Sequence, residues 1–158
     1  RDSSKSASEL RLLEVAAGTG RFHTFVKDNW PAMRSVCSDL SPFYLQRART
    51  NMIEWKRLRQ PNKWLGGADD TGVEFVQMAA EGLSAPDNSF DIVVSVYLFH
   101  ELPEPVRKKA AAEFMRVLKP GGLVVVTDSG QLGDRPEFDA TMGLFGDFNE
   151  PCYRSYIG

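Results

Sequence analysis

Two glycines, a carboxylate and a histidine are the residues of this 158-residue chain whose types and spacing best suit chemistry. Gly18 and Gly20 lie in "LLEVAAGTGRF", where an apolar run breaks into small residues before a helix-like segment resumes. Glycine adopts backbone angles closed to other residues and lets a ligand approach the main chain, and a helix that follows aims its first N–H groups at an anion. The turn therefore suits a carboxylate or a phosphate; taken alone it also fits a simple tight connection. Asp39 closes the next apolar segment, "SVCSD", about 20 residues on, where a strand-end carboxylate accepts both hydroxyls of a ribose. Its other reading is a cap for the helix that begins near Pro42. His100, in "LFHELP", is a candidate general base, since imidazole is the side chain best suited to taking a proton near neutrality. Otherwise it lines a pocket or bonds a loop. Glu101 reads as a cap or a solvated charge, and His23 as an ordinary residue of its helix's first turn. Cys37 and Cys152 are too few and too far apart for a disulfide framework, and with two histidines they make no zinc knuckle. Both read as free thiols of a reducing, intracellular compartment, and no metal is expected.

These residues need elements to hold them. "LLEV" after Leu10 reads as a buried strand leaving its sheet through the glycine turn, and "RFHTFVKDNW" as a helix stopped near Pro31. Met33 to Leu40 form a second strand. Ser41 and Pro42 then open a helix that carries Leu45, Ala48, Met52 and Trp55 on one side. "WKRLRQPNKWLGGADDTG", from Trp55 to Gly72, reads as a surface excursion. Strands follow at Val73 to Met78 and from Phe90 in "FDIVVSVYLF", with turn chemistry in "APDNSF" between them. Val106, Ala110, Phe114, Val117 and Leu118 have helical spacing; "KPGG" stops that helix, and "LVVVTD" is a fifth strand. Apolar strands alternating with helices predict one α/β domain over residues 1–158, with residues 1–8 flexible. Its sheet is mostly parallel, doubly wound and Rossmann-like, a middle layer between two helical ones. Such sheets bind ligands at the carboxyl ends of their strands, which is where the glycine turn falls. A net charge of −2 gives no basic field for nucleic acid, and no apolar run approaches the roughly 18 residues of a membrane span. A soluble protein with a small-molecule partner follows, of open oligomeric state.

Two nucleoside-binding families share this arrangement. The dehydrogenase fingerprint G-x-G-x-x-G needs a glycine where His23 stands, which disfavours NAD. The stretch instead resembles the first motif of the class I S-adenosylmethionine-dependent methyltransferases, an acidic residue followed by x-G-x-G-x-G. Glu14 takes the acidic place, Ala16 the first glycine, and Gly18 and Gly20 the others. "FVQMAAEGLSAPDNSFDIVVSVYLFHELP" is similar to the middle segment of these enzymes, and "EFMRVLKPGGLVVVTD" to the next landmark, a helix ending in Leu-Lys-Pro-Gly-Gly before the fifth strand. The nearest subgroup is the small-molecule methyltransferases that include ubiquinone and menaquinone biosynthesis enzymes.

The resemblance implies S-adenosylmethionine as cofactor and in-line methyl transfer to a small acceptor. It implies that Gly18 and Gly20 let the methionine end pass close to the main chain, its amine near Glu14 or backbone carbonyls. Ala16 falls at the strand end, where a methyl group fits. Asp39 holds the ribose, Leu40 packs on the adenine or else is a buried core leucine, and the segment Ala79, Ala80 and Glu81 borders the ring. Ala79 stands where the family has an aspartate for the adenine amino group, leaving the Ala80 N–H to bond the ring. Tyr97 reads either as lining the substrate side or as ordinary aromatic packing in its strand. The last strands of the family fold have no room here, and residues 129–158 form a partial C-terminal segment. The fifth strand is expected to be exposed unless that tail or another chain covers it. Two other readings stay open: an incomplete, non-catalytic methyltransferase-like module that binds cofactor or a partner, and an NAD-dependent oxidoreductase.

Overall fold

The computed structural model describes residues 6–59, 72–142, 144 and 150–158. Most of the expected surface excursion, from residue 60 to 71, lies outside the described residues; its start, Trp55 to Arg59, is helix instead. Eight elements carry the fold: β1 (Arg11–Val15), α1 (Arg21–Asn29), β2 (Arg34–Asp39), α2 (Pro42–Arg59), β3 (Val73–Gln77), β4 (Phe90–Val96), α3 (Glu104–Val117) and β5 (Leu118–Thr127). The strands form a five-stranded sheet in the order β3-β2-β1-β4-β5, with every pairing parallel. The Rossmann-like reading holds.

The alternation of side chains along β1 divides the core. Leu12 packs with Val26, Met33 and Val94 on the face that α1 covers, and Leu13 and Val15 pack with Val93, Phe114 and Val117 on the face that α3 covers. Parallel strands need helical crossovers, and these helices bury a layer on each side of the sheet. Local chemistry sets the helix ends. Ser41 precedes Pro42, and its hydroxyl accepts the Tyr44 N–H at 3.3 Å, capping α2. At the other end of α1, the Trp30 N–H bonds the Val26 carbonyl and Pro31 cannot continue the helix.

Three further segments refine the sequence-based expectation. Ala7–Glu9 form a 3₁₀ turn, in which the Glu9 carboxylate accepts the Ser6 N–H at 2.8 Å; the turn begins within the last residues of the stretch expected to be flexible. "KPGG" does stop the helix, as expected, but it lies inside the strand instead of before it, and Leu118, expected on the helical stripe, is the first residue of β5. The residue before Pro120 avoids the α region, so α3 ends at Val117, and Lys119 to Gly122 already belong to β5, with the register slipping between Phe90 and Ile92. Beyond β5, the helix expected around Pro136 to Phe145 begins as a 3₁₀ turn, Pro136–Phe138, and is helical over 139–142 and at 144.

β5 is an edge, as expected, and Val126 on it is 46% exposed. Among the described residues, no helix is long and apolar enough to cross a membrane. The tail docks elsewhere, over the carboxyl ends of β4 and β5. Tyr153 and Ile157 are buried there, and the Arg107 guanidinium donates to the Ser155 carbonyl at 2.7 Å.

Candidate functional site

The order of strands reverses between β1 and β4, and a cavity of about 410 Å³ opens at their carboxyl ends. Ala16, Ala17 and Gly18 of the turn after β1 form one wall, with Asp39, Leu40 and Tyr44 beside them. Met78, Ala80 and Glu81 form the next wall, and Tyr97, Leu98, Glu101 and Leu102 after β4 close the opposite side. The crevice is therefore bounded by the loops of β1, β2, β3 and β4 together.

Asp39 joins two of these loops. Its Oδ2 accepts the Gly18 N–H at 2.8 Å and its Oδ1 the Ser41 N–H at 2.8 Å, so one carboxylate pins both the glycine turn and the start of α2. Each oxygen keeps a further lone pair for a ligand hydroxyl. Leu40 stands out from the wall at 66% exposed, rather than packing into the core. Asn51 of α2 reaches back and donates to the Thr19 carbonyl at 2.9 Å, steadying the turn from above.

Four of the expected residues lie off the wall. Glu14 alternates onto the α1 face and is 2% exposed; its carboxylate bonds His23 Nδ1 at 2.7 Å. His23, far from being an ordinary first-turn residue, has no exposed surface, and its Nε2 bonds the Ser35 hydroxyl at 2.9 Å. Glu14, His23 and Cys37 bring three potential donor atoms within 4.8 Å of one another. Both imidazole nitrogens are already engaged, and burial pushes the Cys37 thiol well above its ordinary range, with the charges of Glu14 and Asp39 adding to that. The cluster is thus a hydrogen-bonded anchor under the glycine turn. Gly20 points at α2, not at the crevice: a Cβ there would meet the Ala48 Cβ at 2.8 Å. Ala79 pairs with Gly82 in an antiparallel bridge beside the cavity. His100 is 6% exposed and lies behind the Tyr97 wall.

Backbone strain marks both edges of the switch point. Ala16 has φ +58° and Tyr97 φ +56°, both in the left-handed region that side chains resist. Ala16 is therefore not an unstrained strand end that simply accommodates a methyl group. The alanine occupies a conformation made for glycine, which explains the residue type expected there. Ala16→Gly is expected to raise the unfolding free energy by about 0.5–1 kcal/mol in urea titration, the relieved strain outweighing the extra freedom of the unfolded chain.

The Tyr97 turn is held from β5. The Tyr97 N–H bonds the Thr127 carbonyl at 2.7 Å, and Asp128 Oδ2 accepts the N–H groups of Leu98 at 3.0 Å and Phe99 at 2.7 Å. Asp128 Oδ1 bonds His100 Nδ1 at 2.5 Å. Burial, and then the negative charge of Asp128, hold the Tyr156 phenol above its usual range in the tail nearby. Sequence reasoning passed over this role of Asp128, since its partners on the Tyr97 turn lie 28 to 30 residues away in the chain. It also passed over Arg116, which donates to the Leu83 and Ala85 carbonyls and to Asp87, clamping the segment between β3 and β4 that leads away from Glu81.

An open parallel sheet with a glycine turn, a strand-end carboxylate and a crevice at the switch point defines a nucleoside-binding α/β domain. Within that class, the methyltransferase-domain family matches residues 13–126, and the chain belongs to it. The chain is 29% identical over 132 residues to a malonyl-[acyl-carrier protein] O-methyltransferase of Paenibacillus sp. (strain JDR-2), a match covering 82% of this chain and 42% of that protein. It is 32% identical over 121 residues to a demethylmenaquinone methyltransferase of Deinococcus radiodurans, covering 77% and 44%. Among solved structures, the YcgJ protein of Bacillus subtilis superposes with a TM-score of 0.63 at 26% identity, covering 91% of this chain and 54% of that one. The chain spans less than half the length of these two curated relatives.

Proposed function

We propose that this chain is the S-adenosylmethionine-binding core of a methyltransferase acting on a small-molecule acceptor, with residues 129–158 as a partial C-terminal cover. The observation that supports it best is Asp39, a buried carboxylate on the crevice wall that bonds the Gly18 N–H and still offers lone pairs to a ribose. Leu40, Met78 and Ala80 present an apolar wall for the adenine, with the Ala80 N–H as its polar contact. The methionine end lies along Ala16 to Gly18. With the Glu14 carboxylate held by His23, recognition of the amine falls to backbone carbonyls of that turn.

Bound there, S-adenosylmethionine supplies an electrophilic methyl group, and the protein's task is to hold the acceptor in line with it. Tyr97, Leu98 and Leu102 supply an apolar acceptor side. The relatives named above are enzymes of malonyl-[acyl-carrier protein] and demethylmenaquinone methylation, so an acceptor with an apolar body and an activated oxygen or ring carbon is the class to test first.

Calorimetry tests this reading. S-adenosylmethionine and S-adenosylhomocysteine are expected to bind in the micromolar range and NAD not at all. Failure of every nucleoside ligand to bind would overturn the proposal, and binding of NAD alone would replace it with the oxidoreductase. Asp39→Ala should weaken S-adenosylhomocysteine tenfold to about a hundredfold, the worth of a charge-assisted pair of hydrogen bonds. An unchanged affinity would remove Asp39 from the site.

A further inference from the structure

The imidazole of His100 is held as if for use, yet it is covered. Asp128 fixes the ring through Nδ1 at 2.5 Å, and Asp128 is itself locked by three backbone N–H groups, those of Leu98, Phe99 and Ser129. With Nδ1 committed, Nε2 is the atom left for a ligand. What stands against it is the tail's own carboxylate: Glu150 Oε2 lies 3.5 Å from Nε2, buried and without a hydrogen-bond partner among the described residues. A buried carboxylate oxygen left unsatisfied is costly, so this contact is a poor final partner for either group. Around the ring, Tyr97, Tyr153 and Tyr156 present their edges or faces at centroid distances of 6.2 to 6.3 Å, making an aromatic box with one polar seat. Glu101, whose Oε1 is 4.0 Å from the same nitrogen, lines the crevice. The seat therefore lies one side chain away from the cofactor cavity.

We propose that His100 Nε2 is the seat for an acidic oxygen of the methyl acceptor, a carboxylic, enolic or phenolic one on an apolar body, and that Glu150 occupies it as a built-in competitor. The acceptor displaces the Glu150 side chain from the ring. A hydroxyl acceptor then gives its proton to Nε2 as its oxygen bonds the methyl group; the methyl–sulfonium bond breaks with its electron pair left on sulfur, S-adenosylhomocysteine being the leaving group, and the Asp128 carboxylate faces the resulting imidazolium through Nδ1–H. An acceptor that arrives already ionised needs only the hydrogen bond. The identity of the ligand as a methyl acceptor rests on the function proposed above; the covering of the ring does not.

The test needs no methyl transfer. The chain has two histidines, and His23 is enclosed with both nitrogens bonded, so diethyl pyrocarbonate reads His100, with the modified residue located by mass spectrometry. Glu150→Ala is expected to react at His100 at least about tenfold faster than the parent chain, as removal of one contact to a charged group predicts. Benzoate, a carboxylate on an apolar ring, should protect that variant at lower concentration than it protects the parent. Arg107→Met, which frees the tail at Ser155 while leaving Glu150 in place, should also speed the reaction, and it serves if Glu150→Ala does not fold. Equal rates in parent and variants, or no protection by benzoate, would overturn the proposal. S-adenosylhomocysteine binding measured in parallel keeps a failure of the cofactor reading distinct.

Discussion

Replacing His23 by leucine is expected to lower the unfolding free energy by about 3–5 kcal/mol, because it strands a buried acid. Glu14 is almost wholly enclosed between β1 and α1, and its only side-chain hydrogen bond among the described residues runs to His23 Nδ1. Leucine fills the volume but cannot answer the carboxyl group, and the Ser35 hydroxyl loses its partner as well. A loss of that size is a large part of the 5–15 kcal/mol that usually separates folded from unfolded chains. Urea titration measures it. The double variant Glu14→Leu, His23→Leu should recover most of the loss, since a well-packed apolar pair can replace a buried polar one at little cost. A single-variant loss under about 1 kcal/mol would mean that Glu14 finds another partner, and its role as an anchor of the glycine turn would fall.

Gly20→Ala should cost about 2–4 kcal/mol, combining left-handed strain with overpacking. Gly20 has φ +72°, and its added Cβ would press on the Ala48 Cβ at 2.8 Å and the Ala48 Cα at 3.3 Å, so α1 and α2 must separate. Gly18→Ala is the informative contrast. Gly18 has φ +54°, but nothing lies within 4 Å of its Cβ position, so only the strain of about 1 kcal/mol remains. Its new methyl group projects from the crevice wall, and the larger effect there should be weaker binding of S-adenosylhomocysteine. Equal stability losses in the two variants would show that helix packing is not what requires Gly20. Unequal losses would divide the two glycines of one motif between the crevice wall and helix packing.

Much of the architecture was legible because it rests on local patterns. Apolar strands separated by helical stripes, glycine after β1, Asp39 at the end of β2 and proline at the start of α2 each depend on a few neighbouring residues, and the strand and helix sequence follows from them. The crevice was legible in outline for the same reason: Gly18, Asp39, Leu40, Ala80 and Glu81 all sit at strand ends that one parallel sheet gathers on one edge. The end of α3 at "KPGG" was legible, but the start of β5 at Leu118 was not, because a glycine pair signals a turn equally well inside an irregular strand.

What the sequence by itself determined was the order of the elements, the parallel sheet and the edge at which the crevice opens, since periodicity and turn chemistry are local properties. Only the tertiary structure decided the partners. Which face of β1 Glu14 takes, that His23 descends onto it from α1, that Gly20 makes room for Ala48, and that Glu150 meets His100 fifty residues away all follow from how distant segments pack. No local pattern encodes those contacts, because their geometry exists only once helices and tail have settled on the sheet.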